Sequence, residues 1–507
     1  MMRYLLAHDI GTSGDKATLF AEDGTLIGSI LGEYPTHYDR GGVVEQHPED
    51  WWRAVCETTQ EMAKLVDKKS IAAVSFGGQQ MGCACIDREG RPLRSSIIWA
   101  DTRSVQEEKY IEEVYGRDAF YRKTGHRLSA SYTITKLMWV RDHQPEIYKK
   151  TYKTLNSKDY IVLKLTGKFM TDYSDASGTL AFDAVNCCWA EDLIQAAGLE
   201  LDKFPEIRSG LEVVGEVTPQ AAEECGLAAG TPVVLGGGDG HMCAVGAGCA
   251  SVGEISCNLG TSACIGVMMD HPIADEQQRI VSWNSLIPGT VTVCGTMQAF
   301  GASVAWMRDN LCHEELARSK AEGVSRYTYI NENSLKSPLG SNGLLFLPYL
   351  QGERAPHWDA HAKGAFVGLT MKHTANDMKR AVFEGVAMNM GLIYNILKEN
   401  ISDKMPKKII VTGGGANSPV VQQTLADLFE AQILLTDVSD IVGSLGAAVA
   451  AGYGVGIYKD MQQARKIMKI TKTIDPIPEN TARFREILPV FSEAYTALKG
   501  IFPKLTF

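Results

Sequence analysis

Short apolar runs broken by small-residue turns dominate the first eighty residues. Arg3 to His8 is an apolar run, Gly11 to Gly14 interrupts it with turn chemistry, and Ala17-Thr18-Leu19-Phe20 resumes it before Asp23-Gly24. Runs of this length between Gly and Asp read as strands, so the spacing predicts a β-hairpin, with a third strand at Leu26 to Leu31. After Pro48 the period changes. Trp52, Val55, Cys56, Thr59, Met62, Ala63 and Val66 recur at helical spacing, and Pro48 suits a first helical turn. Ile71 to Phe76 predicts a buried strand leading into the loop Gly77-Gly78-Gln79-Gln80-Met81-Gly82.

The same grammar returns in the second half. Gly253 to Leu259 and Ala263 to Met269 flank Gly260-Thr261-Ser262, repeating the hairpin built around Gly11-Thr12-Ser13. A strand follows at Leu344 to Pro348, then a long amphipathic helix with Met378, Ala381, Val382, Gly385, Val386, Ile393 and Ile396 on one face. Lys408-Ile409-Ile410-Val411 runs into a glycine loop, after which Ser418-Pro419 reads as N-cap and first residue of a helix through Leu428. At 507 residues the chain exceeds what one core usually serves. Two related α/β halves are therefore expected, residues 1–248 and 249–507, meeting at the small-residue stretch Gly246 to Gly253.

A turn of Gly, Thr and Ser offers backbone N–H groups and hydroxyls, the donors that cradle phosphate oxygens. One copy alone is ordinary hairpin sequence. Two copies, one opening each half, point to a nucleotide held from both sides by Gly11, Thr12 and Ser13 and by Gly260 and Thr261. Asp9, at a strand end beside the first turn, is placed to orient a hydrated Mg²⁺ through water, or it simply ends the strand. Lys16 either reaches the phosphates or faces solvent. In Leu235-Gly236-Gly237-Gly238-Asp239-Gly240-His241, glycines let the backbone approach closely and project Asp239 into a domain junction. Phosphoryl transfer needs a group to take or orient the acceptor proton, and Asp239 suits that task, with a second candidacy as metal ligand. His241 reads as an ordinary packed or capping residue. The Gly413-Gly414-Gly415-Ala416-Asn417-Ser418 loop lacks the GxGxxG spacing and reads as an adenosine site.

Charge removes one class of partner. Lys plus Arg total 50 against 60 Asp plus Glu, a net charge of −10, with no basic run to neutralise a phosphate backbone. Nucleic acid is not an expected partner. The first apolar run is too short for a signal peptide, no stretch approaches the roughly 18 apolar residues of a membrane span, and the twelve cysteines lack zinc-site spacing. These readings give a cytoplasmic protein with no membrane contact and with cysteines serving as small apolar residues in a reducing compartment.

Taken together, the motifs resemble the FGGY carbohydrate kinases, and among them the xylulose-kinase branch. The likeness rests on Asp9-Ile10-Gly11-Thr12-Ser13, Tyr132 to Trp139, Lys158-Asp159-Tyr160 with Asp172 to Gly178, Gly237-Gly238-Asp239, Gly260-Thr261-Ser262, Gly352-Glu353-Arg354-Ala355-Pro356 with Gly364 to Leu369, and Gly413-Gly414-Gly415. The resemblance implies two actin-like, ribonuclease H-type domains, with sugar bound mainly by the first and ATP mainly by the second. It implies Asp239 as general base toward Mg-ATP. It also places Gly301 and Gly414 to Ser418 near the nucleotide, and Thr12, Ser13 and Thr261 near its phosphates. Relatives of this kind are often dimers, so the resemblance makes a homodimer one assembly open to the chain, while the sequence itself does not reveal the oligomeric state.

Two departures fall at sugar-contacting positions. The xylulose-kinase pattern Gln-Met-His-Gly is replaced by Gln79-Gln80-Met81-Gly82, and the Asn that usually follows the catalytic Asp is Gly240. A site that loses partners for substrate hydroxyls discriminates less among sugars. Trp99-Ala100-Asp101-Thr102-Arg103-Ser104 resembles the gluconate-kinase branch instead. Trp99 could pack on a sugar face while Asp101 and Arg103 hold hydroxyls, or the two charges form a helix-start salt bridge. D-xylulose is the first expected acceptor, ahead of another pentulose, a polyol or gluconate. An actin-like nucleotide switch and an inactive sugar sensor are the readings from other classes.

Overall fold

Hairpin residues expected from the first thirty positions form a sheet in the computed structural model, which describes residues 2–401 and 405–505. Strands β1 (Tyr4–Ile10), β2 (Gly14–Ala21) and β3 (Leu26–Glu33) pair antiparallel in sequence. Helix α1 (Pro48–Ala63) follows with Pro48 in its first turn and buries Trp51, Trp52, Val55 and Met62 against that sheet. The chain returns as β4 (Ile71–Gly78), which lies parallel to β1 on the side away from β2. A crossover helix permits that parallel return, as a two-residue hairpin cannot. The edge strand β5 (Val213–Glu216) pairs antiparallel with β6 (Pro232–Val234), and β6 and the two-residue β7 (Gly237–Gly238) both lie parallel to β4. The path is β5-β6-β4-β1-β2-β3.

Between β4 and β5 the chain builds a lobe of short helices with its own core, including Ile111, Phe120, Leu137, Met138 and Leu193. Helix α2 (Asp239–Gly246) then leaves the first sheet at β7.

In the second half, β8 (Ile255–Leu259), β9 (Ala263–Met269) and β11 (Val291–Met297) repeat the antiparallel trio, and β10 (Val281–Asn284) adds an edge to β11. Helix α3 (Phe300–Leu311) and the 27-residue α4 (Ala375–Ile401) lead to β12 (Lys408–Thr412), parallel to β8. Helix α5 (Pro419–Phe429), β13 (Gln432–Thr436), α6 (Val442–Gly454) and β14 (Ile470–Ile474) complete the order β10-β11-β9-β8-β12-β13-β14. Third, second and first strands followed by two parallel strands is the arrangement of both sheets. The fold is thus two actin-like α/β domains.

One element crosses between them. Helix α6 belongs to the second half in sequence, yet Leu445, Ala448 and Val449 share a core with Leu5, Ala7, Ala73 and Val234 of the first sheet. Its Gly446 meets α2 so closely that a Cβ there would lie 2.0 Å from the Met242 carbonyl oxygen. A Cβ on Gly246 would lie 1.8 Å from that of Val442. Glycine is required at both positions because two helix backbones touch there.

Candidate active site between the two sheets

Each hairpin turn has its carbonyls anchored and its amides left over. The Gly11 carbonyl accepts from the Tyr34 hydroxyl and from Gln79 Nε2, and the Thr12 carbonyl accepts from Gln46 Nε2 at 2.6 Å. In the second turn, the Gly260 and Thr261 carbonyls accept from the amides of Gly301 and Ala302, both at 3.1 Å. The amides of Thr12, Ser13, Thr261 and Ser262 donate to no acceptor among the described residues. Thr12 is half-buried and the other three are exposed, so these amides are free to donate to an anion, and two such turns make an anion cradle. Gly301 approaches this turn because it lacks a side chain: a Cβ would sit 2.5 Å from the Gly260 oxygen.

Asp9 ends β1 and Asp239 opens α2, and both line one cavity of about 500 Å³. Desolvation, then the neighbouring Asp239 and Asp15 carboxylates, raise the Asp9 carboxyl to about 7. Desolvation raises Asp239 to about 6, opposed by the Gly240 amide, which donates to Asp239 Oδ1 at 2.7 Å. Two carboxylates in one low-dielectric space resist ionising together, and this is a setting that a bound cation relieves. No cluster of three or more His, Cys, Asp or Glu suits a metal ion among the described residues. A hydrated Mg²⁺ taking one or two carboxylates plus phosphate oxygens fits this donor set, whereas an all-protein cage does not.

Behind Asp239 lies a buried charge cluster. Lys158 Nζ stands 2.6 Å from Asp159 and 3.2 Å from both Asp172 and Asp175. Asp172 accepts from the amide and hydroxyl of Ser174, and Ser174 Oγ in turn accepts from the amide of Gly238, the residue before Asp239. Buried charges persist only when paired and hydrogen-bonded, so this chain of contacts fixes the strand end that carries Asp239.

The rest of the cavity wall is built by side chains from three places. Gln80 and Met81 come from the loop after β4, with Gln80 Nε2 donating to the Ser174 carbonyl at 2.9 Å. Met81 adopts φ of 64°, a left-handed backbone uncommon for residues other than Gly, Asn, Asp and His. Trp99 donates from Nε1 to Thr12 Oγ1 at 2.9 Å, tying the wall to the first turn. Gly240 is exposed, with open space where a Cβ would stand.

Among the lining residues that sequence reasoning did not assign to the site are His241, Trp283 and Arg354. His241 is buried, both its ring nitrogens lack a partner, and its ring lies 6.1 Å from that of Trp283. Desolvation drives it to about 4, so it is neutral at pH 7. His241 is packed as expected, and it adds to that reading a place in the cavity wall and two ring nitrogens without partners among the described residues. Its place beside Asp239 in sequence was the one available signal.

Asp101 and Arg103 do not line the cavity. Asp101 is fully buried, accepts the Val44 amide at 2.6 Å and pairs with Arg103 at 2.6 Å, while Arg103 also reaches Glu45. Their donors and acceptors are spent on each other, so the salt-bridge alternative describes them. Lys16 Nζ donates to the Asp440 carbonyl at 3.0 Å, and Ser13 is exposed at the turn.

A second cavity, about 720 Å³, adjoins the first at Gly260. Thr261, Gly301, Gly414, Gly415, Asn417 and Ser418 line it. Gly413 has φ of 86°, and a Cβ on it would stand 2.7 Å from the Leu259 oxygen, so the loop lies directly on the end of β8. Ser418 flanks α5 as expected, but its hydroxyl donates to Asn331 Oδ1 at 2.7 Å instead of capping the helix. The two cavities share Gly260 as a wall, with the glycine loop on one side of it and Asp239 and Trp283 on the other.

Residues 4–246 match the FGGY family of carbohydrate kinases, N-terminal domain, and residues 255–455 match its C-terminal domain. Over 99% of its length the chain is 29% identical to a xylulose kinase of Bacillus subtilis, covering 98% of that protein. It is 31% identical to a gluconokinase of the same organism over 97% of the chain and 95% of that protein. Among solved structures, gluconate kinase from Lactobacillus acidophilus superposes with a TM-score of 0.92 at 27% identity, covering 100% of both chains. With both domain types matched in order and the cleft residues converging between them, this chain belongs to the FGGY family of carbohydrate kinases.

Proposed function

We propose that this kinase transfers the γ-phosphate of ATP to a hydroxyl of a small open-chain sugar, with D-xylulose, giving D-xylulose 5-phosphate, as the first acceptor to test. The observation that carries the reading is the adjacency of the two cavities at Gly260, with the two amide-bearing turns in their walls and Asp239 in the wall of the first. Residues 1–248 would supply most of the sugar site and 249–507 most of the nucleotide site. The adenosine end rests on Gly301, Gly414, Gly415, Asn417 and Ser418. The phosphates pass between Gly11, Thr12 and Ser13 on one side and Gly260 and Thr261 on the other, with Lys16 adding positive potential.

Asp239 accepts the proton of the attacking hydroxyl, and its contact with the Gly240 amide fixes which oxygen faces the substrate. Asp9 and, secondarily, Asp239 would hold Mg²⁺ through water. The ion, when bound, neutralises charge on the phosphoryl oxygens. Gln80, Met81, Trp99, His241 and Trp283 hold the sugar and exclude water, limiting ATP hydrolysis. No helix among the described residues is long and apolar enough to cross a membrane. A cytoplasmic homodimer acting on a free metabolite remains the working reading of location and assembly.

One observation favours a second acceptor class, an aldonate such as gluconate. Arg354 lines the sugar end; its backbone amide donates to Glu353 Oε1 at 2.8 Å, but its guanidinium has no carboxylate within 4.0 Å among the described residues. An unpaired guanidinium in a cleft suits a substrate carboxylate. Membership in a kinase family leaves the nucleotide-switch alternative with no observation of its own.

Coupled ADP release over D-xylulose, other ketoses, polyols and D-gluconate tests the reading. A wild type active on none of them would defeat it. The Gln80→Met, Met81→His, Gly240→Asn variant should fold, because His tolerates the backbone of Met81 and position 240 has room. Regaining two polar contacts should improve kcat/KM for D-xylulose by up to roughly a hundredfold. A wild type already selective for D-xylulose and damaged by these changes would refute the altered-pocket reading.

The pH profile follows from the raised carboxyl of Asp239. A general base works only when ionised, so kcat/KM should rise through about pH 6 and level off above it. A profile flat between pH 5 and 8 would remove Asp239 from that role.

A further inference from the structure

Lys136 is buried without a counter-ion. It lies on the helix Thr133–His143 with 0% exposure, and no carboxylate stands within ion-pair distance of it among the described residues. Its three N–H donors are instead spent on three backbone carbonyls: Met81 at 2.9 Å, Ile98 at 2.7 Å and Ser131 at 2.6 Å. An ammonium has three donors and no acceptor, so this arrangement is complete. Its charge is still expensive to bury, and desolvation lowers its pKa to about 7, with Asp101 and Cys83 opposing that shift and Arg103 adding to it.

The three carbonyls belong to three separate segments, and each carries or adjoins part of the sugar end of the cleft. Met81 itself lines the cavity, and its left-handed peptide is held by the Lys136 bond. Ile98 precedes Trp99, whose indole reaches Thr12. Ser131 precedes Tyr132, which packs on Trp283 at 6.3 Å and on the buried His126 at 5.7 Å. An apolar side chain of the same volume would leave these carbonyls without the donor that Lys136 supplies, and each that stays unmet carries its full desolvation cost. A cation does what an apolar group cannot, which is to hold three loop carbonyls at one point.

We propose that Lys136 is a positioning residue for the acceptor sugar: its ammonium ties the Met81, Trp99 and Tyr132 segments into one rigid wall, so that their side chains meet the substrate in a fixed arrangement. The proposal rests on the reading of this end of the cleft as the sugar site. It gives the Tyr132-to-Trp139 motif a function beyond helix formation.

The test is the series Lys136→Arg, Lys136→Gln and Lys136→Met, assayed with D-xylulose, D-gluconate and Mg-ATP, and followed by hydrogen exchange. The Met variant should raise KM for the acceptor about tenfold, with Gln intermediate and Arg nearest wild type, while KM for ATP stays within about twofold. Amide exchange should quicken in the segments around Met81, Trp99 and Tyr132 and stay unchanged at Gly413 to Ser418. Acceptor and ATP constants moving in parallel, an unchanged acceptor KM in a folded Gln variant, or failure of both Gln and Met variants to fold would each overturn the proposal. Should the wild type phosphorylate none of D-xylulose, other ketoses, polyols and D-gluconate, exchange confined to those three segments would uphold the clamp and defeat the sugar reading instead, and uniform exchange would defeat the clamp.

Discussion

Replacing Asp239 with Asn should lower kcat by roughly 10²- to 10⁴-fold, the usual consequence of losing a general base, with little change in ATP binding. The amide keeps the shape and the contact with the Gly240 N–H but cannot accept a proton. Stability should move the other way. The Asp239 carboxyl is raised in the folded state to about 6, so the folded protein holds a proton that the unfolded chain has already lost. Whatever stability that proton confers is present below the unfolded value near 3.8 and is lost as pH rises through about 6. Above pH 7 the wild type therefore carries a desolvated charge that the Asn variant lacks. The apo variant should melt at the same temperature or a few degrees higher at pH 8, and the difference should shrink toward pH 4. Calorimetry at the two pH values and a coupled ADP assay check both halves; near-wild-type turnover would show that another group takes the proton.

The substitution Gly246→Ala should be severely destabilising although alanine favours helices. A Cβ at Gly246 would stand 1.8 Å from the Val442 oxygen and 2.9 Å from the Gly446 nitrogen, both backbone atoms that cannot rotate away. Alanine returns about 1 kcal/mol of helix propensity, against a cost of at least ~2–3 kcal/mol for forcing two packed backbones apart. Because α2 carries Asp239 and α6 rests on the first sheet beside Asp9, the same shift should widen the cleft and reduce kcat in whatever fraction stays folded. Gly240→Ala is the control, with open space at its Cβ. Urea unfolding of the two variants should separate them by several kcal/mol, and similar midpoints would mean that the helix contact is softer than the structure indicates.

Much of the fold could be read from local pattern. Both hairpins, α1, β4, α4 and α5 follow from apolar periodicity and from the Gly and Pro that bound them, and these depend on residues a few positions apart. Asp9 and Asp239 stood out as candidates because each follows an apolar run beside glycines, and both line the same cavity. Boundaries moved by a few residues: α1 ends at Ala63 before Val66, and β3 continues to Glu33.

What periodicity could not show is which distant groups meet. The bond from Arg103 to Glu45, the placing of His241 against Trp283, and the three carbonyls around Lys136 join segments separated by loops whose course no local signal reports, whereas the Asp101–Arg103 pair, two residues apart, was legible as an alternative. The same holds for α6, whose mostly small, apolar sequence fits either sheet; packing of Leu445, Ala448 and Val449 on Leu5, Ala7, Ala73 and Val234, with close contact to α2 at Gly446, places it on the first. Sequence by itself thus determined the repeated strand-turn-strand units and the acidic residues at their ends, since turn chemistry and side-chain period act within one element. Only the tertiary structure decided which turns face each other, which charges cancel and which polar atoms are left for a substrate, because burial and pairing are properties of neighbours in space.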